Sequence, residues 1–294
     1  MAETTATLNE TKAKLQTAAA KGARKVAPKA RTYTGRDLVS EYKKLLAWGH
    51  SGDGKTHLLL GPVLAGERLL VGSADFGGQG LTTVVEALKR LKKEDLLDNI
   101  RGVDLTTYEE VVTFVEDPGQ FFEGLETFAP TVDVLEGFSG FQIDLLDEYI
   151  LSFESKEMKD NELRDAGLVS SRQDWAGMKR GTMRVMRKFL GLNIGSTPQH
   201  KIVTALGGKQ GMNDLTKATE QTPLIQGSAR DLIGAGFDLV LRCASKEVNG
   251  KVEYFYHTGA DKSKFAVKTR GVELPSIMDA DPLKLWSILT GKGK

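Results

Sequence analysis

Short apolar runs bounded by glycine and charged residues punctuate this chain at 44–48, 68–72, 131–135, 202–206 and 237–241. Runs of that length, bounded in this way, predict strands. Between them, Val84, Val85, Leu88 and Leu91 recur at helical spacing and predict a helix over 82–97, with lysine and arginine on its other face. A second amphipathic helix is predicted over 175–192, its basic face carrying Lys179, Arg180, Arg184, Arg187 and Lys188; most such faces are simply solvated. Residues 100–128 predict a short strand at Val103-Asp104-Leu105 and a helix near Phe121-Phe122-Glu123-Gly124-Leu125. Late in the chain, 252–257 predicts a strand joined to 237–244 through a turn at Asn249-Gly250. Leu283, Trp286 and Leu289 predict a closing helix. The stretch between 207 and 230 shows no clear period and reads as a long polar loop, a feature that in compact domains usually serves function. The alternation predicts an α/β fold.

The first apolar run opens directly into Gly49-His50-Ser51-Gly52-Asp53-Gly54-Lys55-Thr56-His57, which fits the spacing Gly-x-x-x-x-Gly-Lys-Thr between a strand and a helix start. Glycines in a tight loop allow positive φ and close approach, so several backbone N–H groups turn toward one anion. From about Gly52 to Thr56 those N–H groups, with the positive end of the following helix, suit a β-phosphate. Lys55 then reaches the β- and γ-phosphates and the Thr56 hydroxyl ligates Mg²⁺.

Two later strands end in acids. The run at 68–72 leads into Asp75-Phe76-Gly77-Gly78, and ligands of parallel sheets sit at strand carboxyl ends, so Asp75 can face the same crevice as Lys55. A carboxylate there orients and deprotonates an attacking water; the alternative is a turn-capping aspartate. The run at 131–135 ends in Glu136-Gly137-Phe138-Ser139, where Glu136 is placed to hold a Mg²⁺ water shell, or else is a solvent-facing acid. Asp133 falls too early in that strand to serve instead.

Composition narrows the classes. With 294 residues, 40% hydrophobic, 27% charged and a net charge of +1, the chain can bury a full core and shows no overall charge that forces a nucleic-acid partner. Its single cysteine, Cys243, excludes an internal disulfide, suits a reducing cytoplasm and lies in an apolar run as a structural thiol. No apolar stretch approaches the roughly 18 residues of a membrane span. Residues 1–31 are Ala-, Thr- and Lys-rich and predict a disordered basic arm, either tracking phosphates or merely solvated, ahead of one domain over 32–294. Residues 152–171 predict an exposed, charged insertion or lid.

Taken together, the chain resembles RecA-like P-loop ATPases, and within them the phage ATP-binding proteins of the Sak-type single-strand annealing group. The resemblance runs from about 40 to 285 and rests on Gly49 to Thr56, Asp75-Phe76-Gly77-Gly78, Glu136-Gly137-Phe138-Ser139, Gln173-Asp174-Trp175, Thr222-Pro223-Leu224-Ile225-Gln226-Gly227 with Phe237-Asp238-Leu239-Val240-Leu241, and Lys268-Thr269-Arg270. It implies a RecA-like core with a mainly parallel central sheet between helices, ATP bound with Mg²⁺, and an oligomer that handles single-stranded DNA through the long loop. By position, Asp75 stands where the family usually has the catalytic glutamate and Glu136 where it has the Mg²⁺-associated aspartate. Lys268 and Arg270 become candidates for reaching a neighbouring subunit's γ-phosphate, and Lys209, Lys217 and Arg230 candidates for DNA phosphates. It also implies a host-cell cytoplasmic location for a phage-encoded chain. Two other functions fit the same loop: a nucleotide kinase-like phosphotransferase with lid arginines such as Arg164 and Arg172, and a nucleotide-gated scaffold with little turnover.

Overall fold

A computed structural model describes residues 42–75, 79–146, 172–194, 199–212, 219–226, 229–259 and 265–291, all within one compact unit, Glu41–Lys294. The predicted arm at 1–31, the lid at 152–171, Phe76-Gly77-Gly78 and Lys217 lie outside the described residues.

In chain order, β1 (Lys44–Gly49) leads through the glycine loop to a 3-10 turn (Thr56–Leu59) and α1 (Leu60–Leu64). Then come β2 (Leu69–Ser73), α2 (Gln79–Arg90), β3 (Ile100–Asp104), α3 (Tyr108–Glu116) and β4 (Val132–Glu136). A short helical turn (Phe138–Gly140) and a π-helical segment (Phe141–Leu145) follow. After them stand α4 (Arg172–Gly191), β5 (His200–Met212), β6 (Thr219–Pro223), α5 (Ala229–Ile233), β7 (Leu239–Val248) and β8 (Lys251–His257). β9 (Lys268–Thr269), β10 (Ile277–Asp279) and α6 (Pro282–Thr290) complete the fold.

One sheet runs β10-β8-β7-β1-β5-β4-β2-β3. From β7 to β3 every neighbouring pair is parallel, whereas β8, β10 and β9 add antiparallel pairs on the β7 side. The apolar runs read as strands buried on both faces because their side chains alternate between two helical layers. From β1, Leu46 and Trp48 join Leu135 and Val203 against α3 and α4, while Leu45 and Ala47 join Val134 and Ile202 against α1, α2 and α6.

Four expectations shift in detail. The helix predicted over 82–97 begins at Gln79, ends at Arg90 and is followed by a 3-10 segment, Glu94–Asn99. α3 occupies 108–116, where none was foreseen, and its start is a capping box: Thr107 accepts from the Glu110 N–H while the Glu110 carboxylate accepts from the Thr107 N–H. The polar stretch after 206 is not a loop at its base: β5 continues to Met212 and returns as β6, pairing antiparallel with a register shift between Gly207 and Gln210. β7 also runs on to Val248, and at the predicted hairpin turn Asn249 and Gly250 both take positive φ, 52° and 75°.

Beneath the site, Asp133 and Lys201 face each other across β4 and β5 as a buried ion pair, with the ammonium 5.6 Å above the Phe189 ring. Burial pushes the Asp133 carboxyl up and the Lys201 ammonium down, and their contact opposes both shifts. This accounts for the acid placed too early in the strand: it balances a buried lysine. Cys243 is likewise structural, fully buried with its thiol pushed up to about 12 by desolvation.

Candidate active site

The parallel strands deliver their carboxyl ends to one edge, and the glycine loop leaves β1 there. Gly52 and Gly54 take φ of 83° and 81°, a region closed to most side chains, so the loop can double back in so few residues. Asp53 closes it: its carboxylate accepts from the His50 N–H at 2.8 Å and from the Ser245 hydroxyl of β7 at 2.9 Å. Asp53 therefore pins the loop to the sheet. The Lys55 ammonium folds back to donate to the His50 carbonyl at 2.8 Å. Burial holds it below the ordinary lysine value, against the charges of Asp53, Asp75 and Glu136. Ser51 is exposed, and His57, whose pKa burial lowers, lines a separate cavity of about 580 Å³ against Thr82, Thr83, Glu86 and Arg90 of α2.

Thr56 and Glu136, 80 residues apart, meet here: the hydroxyl donates to Oε1 at 2.5 Å. Glu136 is 1% exposed, and among the described residues its buried Oε2 has no hydrogen-bond partner. Burial raises its carboxyl above the usual range; the Thr56 bond and Lys55 oppose this, and Asp75 reinforces it. Asp75 is half-buried at the end of β2, raised first by desolvation and also by Asp144, with Lys55 pulling it down. Two glycines make room for these acids. A β-carbon at Gly80, in the first turn of α2, would collide with the Glu136 carboxylate, and one at Gly137 would collide with Asp75. The longer side chain at 136 is accommodated by the missing one at 80.

Several partners of the site had no local signal in the sequence. The Gly137 N–H donates to the Thr204 hydroxyl of β5 at 3.0 Å. The Ser139 hydroxyl donates to the Leu224 carbonyl at 2.7 Å and accepts from the Leu206 N–H at 2.9 Å. The Gln142 amide donates to the Thr182 hydroxyl of α4 at 2.9 Å, and its Oε1 accepts from the Gln226 N–H at 2.5 Å. On the loop side, the Gln221 amide lies 2.9 Å from His50 Nε2 and donates to the Gly208 carbonyl at 3.0 Å. The β5–β6 hairpin is thus tied both to the glycine loop and to the segment following Glu136.

The donors present suit a hard divalent cation. Among the described residues no group of three His, Cys, Asp or Glu forms a closed metal cage, but one hydroxyl and one carboxylate with an orphaned oxygen match Mg²⁺, which typically takes one or two protein oxygens and completes its shell with water and phosphate. The remaining candidates are scattered. Lys268 donates to the Phe237 carbonyl at 2.7 Å and the Gly234 carbonyl at 3.1 Å, so its ammonium is engaged within the chain, while Arg270 two residues on is exposed. Arg230 is half-buried on α5, and Lys209 lies on β5 where only the backbone is described.

One strand, β5, stands between the loop strand β1 and the acid-bearing β4; the loop and both strand-end acids therefore gather at the carboxyl edge of a mixed α/β fold with a mainly parallel sheet. No known family profile matches the sequence, and no curated protein matches it. Among solved structures it is similar to a KaiC-like protein from the hyperthermophilic archaeon Pyrococcus horikoshii, at 12% identity over 82% of this chain and 87% of that one with a TM-score of 0.41. It is also similar to the flagellar accessory protein FlaH from Methanocaldococcus jannaschii, at 11% identity over 80% and 83% with a TM-score of 0.37. Both likenesses are remote.

Proposed function

We propose that this chain binds and hydrolyses ATP as an oligomeric, single-strand-binding protein of phage DNA recombination or replication, akin to the Sak-type annealing ATPases. The observation that carries the nucleotide reading is the Thr56–Glu136 contact beside Lys55, with Glu136 Oε2 left open. Backbone N–H groups of 52–56 bind the phosphates, and Lys55 releases the His50 carbonyl to neutralise them. Thr56 and Glu136 are the residues that would hold Mg²⁺, which would supply charge neutralisation when bound. Asp75, its basicity raised by burial, orients the attacking water and accepts its proton. DNA binding is supported by the paired β5 and β6, whose Gln221 meets His50 of the glycine loop, and by Lys217 in the sequence between the two strands.

Steady-state ATP hydrolysis, with and without single-stranded DNA, tests this in wild type and Lys55→Ala. A DNA-stimulated rate that Lys55→Ala abolishes is the expected result. A rate indifferent to DNA leaves the nucleotide site standing and removes the recombination role. ATP binding without turnover, unaffected by Asp75→Ala, leaves a nucleotide-gated scaffold.

A further inference from the structure

The outer face of α4 has no role in the site just described, and its chemistry is distinctive. Within ten residues it presents Lys179, Arg180, Arg184, Arg187 and Lys188. Of these, Arg184 and Lys188 share one carboxylate, Glu116, at 2.9 and 3.5 Å. Among the described residues no carboxylate pairs with Lys179, Arg180 or Arg187, all three exposed. The chain as a whole carries only +1, so this concentration of positive charge is local. The five cations line a cavity of about 460 Å³ whose apolar surface comes from Met183 and, across from α4, the 43%-exposed Leu232 of α5. Trp175, 42% exposed, stands one helical turn before Lys179.

We infer that this groove binds the phosphate backbone of single-stranded nucleic acid. It rests on the single-strand reading above and assigns the binding to a surface other than the β5–β6 arm. Cations four residues apart on a helix repeat at ~6 Å, a spacing comparable to the phosphates of an extended strand. Methionine, leucine and an exposed tryptophan beside a row of cations suit unpaired bases, which stack or pack against apolar surface while the backbone follows the charges. A duplex keeps its bases stacked inside and offers a groove like this phosphates alone. The groove is also mechanically joined to the nucleotide site: Thr182, on the buried side of α4, accepts from Gln142, which holds Gln226 and lies six residues beyond Glu136.

The test uses the full chain and fluorescein-labelled oligothymidylate, read by anisotropy over about 50–200 mM salt. The combined variant Lys179→Ala, Arg180→Ala, Arg187→Ala is expected to lose ~10- to 100-fold in affinity and to lower the slope of log K against log salt by about 2, three contacts at ~0.7 each. ATP affinity measured on the same sample stays unchanged, showing that the fold survives. Arg180→Lys with Arg187→Lys retains most of the binding. If wild type binds the oligonucleotide and the alanine variant matches it in affinity and slope, the groove is overturned and the hairpin keeps the DNA. If wild type binds ATP but no oligothymidylate, both the groove and the single-strand reading fall. Equal or tighter binding to duplex, or binding to phosphatidylserine vesicles in place of the oligonucleotide, also overturns it.

Discussion

Glu136 shows how one methylene is absorbed by its surroundings. Its carboxylate reaches Thr56 because the residue opposite, Gly80, has no side chain. Gly80→Ala sits in a helix, where alanine normally stabilises by ~0.5–1 kcal/mol over glycine. Here it is expected to push the carboxylate off Thr56 and lower kcat for ATP by about 10²-fold, measured by steady-state turnover beside the melting temperature. The titration of Glu136 supplies a second prediction. Its folded pKa is raised, so the folded chain binds this proton more tightly; the stabilisation is complete below the unfolded pKa and is lost as pH rises through the raised one. At neutral pH the ionised group therefore weakens the empty protein. Glu136→Gln keeps an acceptor for Thr56 and is expected to raise the Tm of the nucleotide-free chain by ~2–4 °C, the shift that roughly 1 kcal/mol gives at this size. The same variant loses Mg²⁺-dependent ATP binding. A Tm at or below wild type would show that the buried carboxyl is not a source of instability.

Among elements, the β4–β5 pair carries the one buried ion pair of the described residues, Asp133 with Lys201. Lys201→Met alone leaves Asp133 buried and unpaired and is expected to cost ~3–5 kcal/mol, whereas adding Asp133→Leu recovers most of it. Urea unfolding of the two variants checks this; equal losses in both would mean that the pair itself, not the stranded charge, provides the stability. α3 and the hairpin show two ways in which an element escapes sequence reading. The α3 start, Thr107 to Glu110, is a legible capping box that the apolar pattern of 100–128 overshadowed. The β5–β6 arm has no such signal: Gly207, Gly208 and Gln210 have low strand preference, and only the antiparallel partner supplies the hydrogen bonds that make them a strand.

At the scale of the molecule, the proposed oligomer makes the separate fates of Lys268 and Arg270 testable. Lys268 caps carbonyls of its own chain, which burial and hydrogen bonds hold in place, while Arg270 faces solvent. Arg270→Ala is expected to bind ATP normally and to hydrolyse it ~10³-fold more slowly, as for other arginines supplied in trans. Mixed with Lys55→Ala subunits, which keep Arg270, it should regain part of the rate, because some interfaces then join an intact loop to an intact arginine. Additive, unrescued rates in a mixing series would show that Arg270 does not act across an interface. Lys268→Ala should instead lower Tm without a specific effect on turnover.

The sequence alone determined the glycine loop, the strand ends bearing Asp75 and Glu136 and where most strands fall along the chain, because each depends on residues adjacent in the chain: spacing, apolar run length, turn chemistry. What it could not determine depends on partners brought from far away. Thr56 and Glu136 are 80 residues apart, Asp53 and Ser245 192, and the His50–Gln221 contact spans 171. Those pairings, the room that Gly80 and Gly137 leave, and the balance of Asp133 by Lys201 exist only once the sheet has assembled in its crossed-over order. A one-dimensional pattern records which side chains are buried, and the tertiary structure decides which of them meet.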